Sequence, residues 1–404
     1  MPIRDGRPSP RVSSLTGGAG LISVSVVYTD ELLLPWFRCL ADLLPGMRLF
    51  DAHTHLGVDD PDGWRCSPDD LTGALTLVEG RAVVFPLMER AGYREANDAV
   101  LAAAAASEGR LAPFCRIDPH ADPVGELERC VAAGALGVKL HPRAERFDLR
   151  HPGVAAVFAL AAERRLPVII HSGLGIPSLG RDALALGERY PQAPLILAHV
   201  GVTDLAWIWR RLGDHPSLFF DTAWWNPADH LALFALVPPG RVLLGSDAPF
   251  GTPAAATIVA TRCALQVGLT NAQIHSVTGG QLERLLAGEE PLDLGPAPGP
   301  ASARPPLLDR VFALLVGALA RMLEGRPADG LVQLARLGCQ VDPDTHEARV
   351  LQAVAELLDR QQRYAQTTPL DGRRAAGFHL VLAAAALAAA PDAPLPGRSS
   401  TSST

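Results

Sequence analysis

Two histidines one residue apart, His53 and His55, follow an acid, Asp51, where a short apolar run ends. In an extended strand such residues face the same side, so both imidazoles can aim at one point. Other apolar runs end in residues that can do chemistry: Lys139-Leu140-His141-Pro142-Arg143, His171, His199 and Asp247. Imidazole and carboxylate donors in this number suit zinc or a similar divalent metal. Such an ion lowers the pKa of its bound water and supplies a nucleophile near neutral pH. Taken singly, these residues say little. An isolated H-x-H is more often a surface or core pair, a strand-end histidine is usually a satisfied polar residue, and Asp247 could be only a helix N-cap. The specific signal is agreement of position and residue type at several strand ends far apart in sequence. His215, His230, His275, His346 and His379 fall in helical or turn contexts and are read as structural.

These donors need elements that carry them to one place. Eight short apolar runs stand out: 48–51, 82–86, 112–117, 136–140, 167–171, 194–199, 217–221 and 241–247. Between most of them lie Ala/Leu/Glu/Arg-rich helical stretches, such as 96–106, 124–133, 154–165 and 179–190. The spacing is that of βα units. Runs that are apolar throughout point to a parallel sheet covered on its outer face. The pattern predicts an α/β fold, a (β/α)8 TIM barrel, whose active site forms at the C-terminal strand ends. A doubly wound open sheet is the alternative, weakened by the lack of a Gly-rich turn after the first strand.

Composition divides the chain further. Residues 1–28 read as an N-terminal arm, 29–287 as the metal-dependent barrel and 288–306 as a Pro/Gly-rich linker. Apolar residues at helical spacing recur over 307–323 and 347–362, so 307–390 reads as a small all-helical region. The Pro/Ser/Thr-rich residues 391–404 read as a disordered tail.

The motifs LFDAHTHLG, GVKLHPR, PVIIHSG, LILAHVG and LLGSDAPFG resemble the strand-end motifs of the amidohydrolase superfamily. They are most similar to the amidohydrolase-related branch that includes aminocarboxymuconate-semialdehyde decarboxylase and related hydrolases. The resemblance covers about residues 48–287 and implies metal ligands at His53, His55, His171 and Asp247, with His199 close to the metal-bound water. It also raises a second arrangement, in which a carboxylated Lys139 bridges two ions and His171 and His199 serve the second; one ion is favoured. The segment Gly279-Gly280-Gln281 departs from the Gly-Asn pair common in the branch.

The expected activity is hydrolysis of a C–O or C–N bond in a small molecule by a metal-activated water. Asp247 is the expected general base and then acid, and His199 either holds the developing oxyanion or orients the water. Asp51 is read either as an acceptor steering a ligand imidazole or as a structural strand-end contact. His141 and Arg143 are candidates for a substrate carboxylate, with a surface ion pair as the plain alternative for Arg143, and Trp224 is a candidate pocket wall beside Trp225. The alternative activity is that of a lyase: non-oxidative decarboxylation of an unsaturated or aromatic acid on the same metal. A catalytically dead barrel would show a missing ligand, and none is missing. A TatD-type nuclease would carry a Glu motif where this chain has VKLHPR.

A net charge of −7 gives no electrostatic reason to expect nucleic acid as a partner. The longest apolar run, 380–390, is too short for a membrane span, and residues 1–20 have no signal-peptide core. The six cysteines lack C-x-x-C spacing and read as reduced thiols in a cytoplasmic protein, with Cys115 a core filler. The helical region is a candidate surface for a homo-oligomer.

Overall fold

The computed structural model describes residues 27–367 and 376–396. Most of the expected N-terminal arm therefore lies outside the described residues, and Val27 already begins a helix. The strands are β1 (Phe50–Leu56), β2 (Arg81–Pro86), β3 (Leu111–Pro113), β4 (Cys115–Arg116), β5 (Val138–Leu140), β6 (Val168–Ile170), β7 (Leu195–Leu197), β8 (Leu218–Asp221) and β9 (Val242–Leu243). All pair in parallel with their sequence neighbours, as β1-β2-β3 and β4 through β9. The backbone N–H of Phe114 bonds Val84 O at 2.8 Å, and Leu136 N bonds Pro113 O at 2.8 Å, so β3 and β4 are two halves of one barrel strand. On the other side Ala52 N reaches Leu244 O at 2.7 Å and His55 N reaches Ala248 O at 2.7 Å, which joins the last strand to the first. The result is the expected closed eight-stranded barrel.

Alternation along each strand decides what enters the barrel. In β6, Val168 and Ile170 join the outer core while Ile169 joins the inner one, and β7 repeats this with Ile196 inside. In β5, Val138 and Leu140 pack outward, which turns Lys139 inward. The end opposite the histidines is plugged by Leu282 and Leu285, which join the inner core. Glu283 pairs there with Arg48 at 2.7 Å and Arg81 at 3.2 Å.

Helix α1 (Val27–Leu43) precedes the barrel, and α2 (Pro68–Leu77) starts at a capping box of Ser67 and Asp70. The outer layer continues with α3 (Arg94–Ala106), α4 (Pro123–Ala132), a short α5 (Pro142–Glu145), α6 (Pro152–Arg164), α7 (Gly180–Arg189) and a short α8 (Leu205–Ile208). Then come α9 (Pro227–Leu236), α10 (Pro253–Gln266), α11 (Asn271–His275) and α12 (Gln281–Leu286). Asn226 caps α9 and Thr252 caps α10, each followed by proline at the first helical position.

The helical region comprises α13 (Pro306–Leu323), α14 (Asp329–Gly338), α15 (Ala348–Thr367) and α16 (Phe378–Ala389). It packs onto the barrel rather than standing apart: α16 contacts α1, α9 and α10, and one hydrophobic core runs through barrel helices and helical region alike. Every residue of α16 but His379 is buried, more than half of them alanine. The linker is also pinned, with Gln281 bonding both Gly240 O at 2.7 Å and Leu292 N at 3.0 Å. The expected disordered tail starts too early at 391. Ala393 is buried, and the buried Arg262 donates to Ala390 O at 2.7 Å, Ala393 O at 3.1 Å and Pro394 O at 2.7 Å. Residues 397–404 lie outside the described residues.

Candidate metal centre

At the C-terminal end of the barrel, one ligand atom each from His53, His55 and Asp247 lie within 4.8 Å of one another. The strand period does this for the two histidines, and closure of the barrel brings Asp247 across, its N–H bonded to His53 O at 2.8 Å. Asp247 and His199 have φ of 59°, and the β-branched Val200 has 54°. Such left-handed backbone is uncommon outside glycine and gathers at functional sites.

The hydrogen bonds fix which nitrogens are bare. His53 Nδ1 lies 2.7 Å from Asp221 Oδ2, so it carries the proton and leaves Nε2 with its lone pair. His55 Nδ1 donates to Pro86 O at 3.3 Å, which bares its Nε2 as well. Both bare nitrogens face Asp247 Oδ1, at 3.3 Å and 3.1 Å. Acceptors aimed at an acceptor repel unless a cation or a proton lies among them; here the Lys139 amine reaches one of them, 3.1 Å from His53 Nε2. Burial, with Lys139 adding to it, holds both imidazoles well below the usual histidine pKa. Neutral nitrogens and one carboxylate are the donor set a divalent metal takes, so the residues fit such an ion.

His171 is not part of this three-donor group. Its Nδ1 faces His199 Nε2 at 2.9 Å, and its ring stacks on His141 at 4.0 Å. His199 is buried, 5.0 Å from the His53 ring, with Nδ1 donating to Ala223 O at 2.6 Å. With the proton on Nδ1, its Nε2 is the nitrogen left to accept, and it lies against His171 Nδ1. Lys139 is buried, and Nζ lies 3.1 Å from His53 Nε2 and 4.7 Å from the Phe85 ring centre. Burial pulls its pKa down to about 7.

The carboxylate that steers a histidine of the group is Asp221, not Asp51. Asp51 Oδ1 instead accepts the backbone N–H groups of His53 and Ser246, both at 2.9 Å, and so ties β1 to the end of the last strand. Asp221 also accepts from His199 N at 2.8 Å and Ala223 N at 3.0 Å. It closes the run 217–221, and the same strand-end logic that marks Asp247 would have marked it.

Of the substrate candidates, His141 caps α5 through Nδ1, and Arg143 is an exposed residue whose Nη1 reaches Leu174 O at 3.5 Å, on the loop after β6. Trp224 is half-buried, 6.2 Å from the His199 ring and stacked on Trp225 at 5.7 Å. Phe250 stands 5.5 Å from His55 and 4.8 Å from Trp64, two aromatic groups at the mouth that sequence reasoning passed over. His230 bridges Asn226 O and Thr222 O and is structural, and Cys115 is buried core.

The amidohydrolase family model matches residues 50–278, more than half of the chain. The chain belongs to the amidohydrolase family and is an enzyme of that type, a family of metal-dependent enzymes acting on small molecules. Among solved structures it is similar to 5-carboxyvanillate decarboxylase LigW of Sphingomonas paucimobilis, at 14% identity over 60% of this chain and 99% of that one, TM-score 0.48. An amidohydrolase of Burkholderia multivorans with bound zinc aligns at 18% identity over 59% and 99%, TM-score 0.49. IDCase of Metarhizium anisopliae aligns at 14% identity over 61% and 98%, TM-score 0.47. No curated protein matches the chain. Among the described residues, no helix is long and apolar enough to cross a membrane.

Proposed function

We propose that this chain is a metal-dependent hydrolase that cleaves a C–O or C–N bond of a small molecule. The observation that carries the reading is the pair of bare nitrogens, His53 Nε2 and His55 Nε2, aimed at Asp247 Oδ1. In this reading His53, His55 and Asp247 hold one divalent ion, zinc or similar. His171, whose strand-end motif carries the resemblance, is the fourth ligand in this reading; its Nδ1 lies 2.9 Å from His199 Nε2. A bound ion there supplies Lewis acidity and a water of lowered pKa.

The chain's own groups do the rest. Asp247 takes the proton of the attacking water as its oxygen bonds to the substrate carbon, and returns that proton to the leaving oxygen or nitrogen. The acceptor Nε2 of His199 orients the attacking water. Asp221 fixes the His53 tautomer, and the Pro86 carbonyl fixes that of His55. Lys139, the inward donor of β5, holds its amine beside His53, and in the one-ion reading it bridges no second metal. His141 and Arg143, the candidates for a substrate carboxylate, stand at the β5 rim, with His141 stacked on His171.

A second reading, decarboxylation of an unsaturated or aromatic acid on the same ion, is favoured by the aromatic mouth of Trp64, Phe250 and Trp224. Metal quantification followed by a panel of lactones, amides and aromatic acids separates the two. Hydrolysis products with about one metal per chain are expected. Carbon dioxide release without water consumption selects the second reading, and two metals per chain overturn the single-ion arrangement. A metal-loaded enzyme inert on every compound class overturns both activities.

A further inference from the structure

The family match ends at residue 278, yet the helical region beyond it reaches the candidate site. A line of rings leads there: His199 to Trp224 at 6.2 Å, Trp224 to Trp225 at 5.7 Å with planes 23° apart, and Trp225 to the edge of Phe378 at 6.4 Å. Phe378 opens α16 and is 2% exposed. The residue before it, Gly377, has φ of 77° and lies so close to Gln361 that an added Cβ would come within 2.8 Å of the glutamine Cγ. Gln361 of α15 in turn donates to Ala376 O at 3.1 Å. The start of α16 is therefore held firmly, and Phe378 with it.

Trp225 is gripped from the other side by the loop that follows Asp247. An added Cβ at Gly251 would stand 3.3 Å from the indole Nε1 of Trp225. Trp224 is anchored separately by its own Nε1, which donates to Asp229 at 2.6 Å. The indole of Trp225 thus lies between the Asp247 loop and Phe378, and its stacked partner faces His199. Edge-to-face and stacked aromatic contacts have definite geometry, so moving one ring moves the next.

We propose that Phe378 is a positioning residue of the site: its ring sets the plane of Trp225 and, through it, of the Trp224 wall beside His199. The helical region is then a specificity element that shapes the pocket for flat substrates. The inference rests on the reading that substrate binds at the His53, His55 and Asp247 end of the barrel.

The test uses the full chain and needs no substrate at first. Two stacked indoles give an exciton couplet in circular dichroism, and W225F removes it and marks the signal. F378L, which keeps an apolar side chain but loses the ring, is expected to cut the couplet roughly in half while retaining a cooperative melt; F378Y, which keeps the ring, restores it. On the substrate found in the panel, F378L is expected to raise KM about tenfold with little change in kcat, as loss of uniform binding does. Should F378L lose its cooperative melt, Q361A, which frees the turn before Phe378, takes its place, and a weakened couplet is again expected. A folded F378L or Q361A with the couplet unchanged overturns the proposal. An enzyme inert on every substrate defeats the functional reading but leaves the couplet result standing.

Discussion

His53 Nδ1 and Asp221 Oδ2 lie 2.7 Å apart in full burial, a β1 imidazole locked to a β8 carboxylate. The pair decides which nitrogen of His53 is bare. Asp221→Asn is expected to fold and to lose about 10- to 100-fold in metal affinity, the usual cost of removing a carboxylate behind a ligand histidine. Chelator competition measures it, and unchanged affinity would show that Asp221 serves only the backbone amides of His199 and Ala223.

His53→Ala and Asp247→Ala are each expected to abolish turnover and metal retention with the barrel still folded, judged by circular dichroism and metal content. Stripping the ion with a chelator should do the same reversibly. His171→Ala tests the fourth position. As a ligand its loss lowers metal occupancy, whereas as a mere neighbour of His199 it would leave occupancy intact.

Asp30 of α1 is fully buried, and burial raises its pKa from 3.8 to about 7, with the Thr252 hydroxyl beside it opposing the shift. It keeps its proton in the folded chain over a range where the unfolded chain releases it. Stability from this residue is therefore present at low pH and lost as pH climbs from about 4 to about 7. Asp30→Asn should flatten that slope and raise Tm at pH 8. Thermal melts of both proteins at pH 5 and pH 8 decide it; an equal Tm difference at the two values would contradict the protonated carboxyl.

Arg262 spends its guanidinium on the carbonyls of Ala390, Ala393 and Pro394. Arg262→Met leaves these acceptors without their charged donor, an expected loss of about 1 to 3 kcal/mol for a buried hydrogen-bonded group. Denaturant titration measures it. Truncation after Pro306 should be more severe and yield aggregated protein, since it bares the faces of α1, α9 and α10. A soluble, monodisperse truncated barrel would show that the helical region is dispensable for folding.

What the sequence discloses and what it hides have physical causes. His53, His55 and Asp247 are readable because strand ends of one barrel share a mouth, so distant polar residues after apolar runs converge. Asp221 follows the same rule, but no histidine or second acid stands beside it to draw notice. Which nitrogen of His199 holds a proton turns on the carbonyl of Ala223, a backbone contact that no residue pattern encodes. Helix α1 escapes because Pro35 falls between its buried residues Leu33 and Trp36, Phe37 and Leu40, and breaks the helical signal. Residues 391–396 look like tail by composition, yet their carbonyls are what Arg262 needs. The boundary at 307 is visible as a change in composition, but composition cannot reveal that the two parts share one core.

The alanine-rich α16 carries a consequence for how the molecule is made. The helix that seals α1, α9 and α10 is encoded after every strand of the barrel. On the ribosome, where segments fold in the order they emerge, the strands can close first, while an apolar flank waits for residues 378–389 to arrive. Until then the nascent chain is an unfinished assembly with an adhesive side, and its yield in the cell depends on how well that interval is guarded.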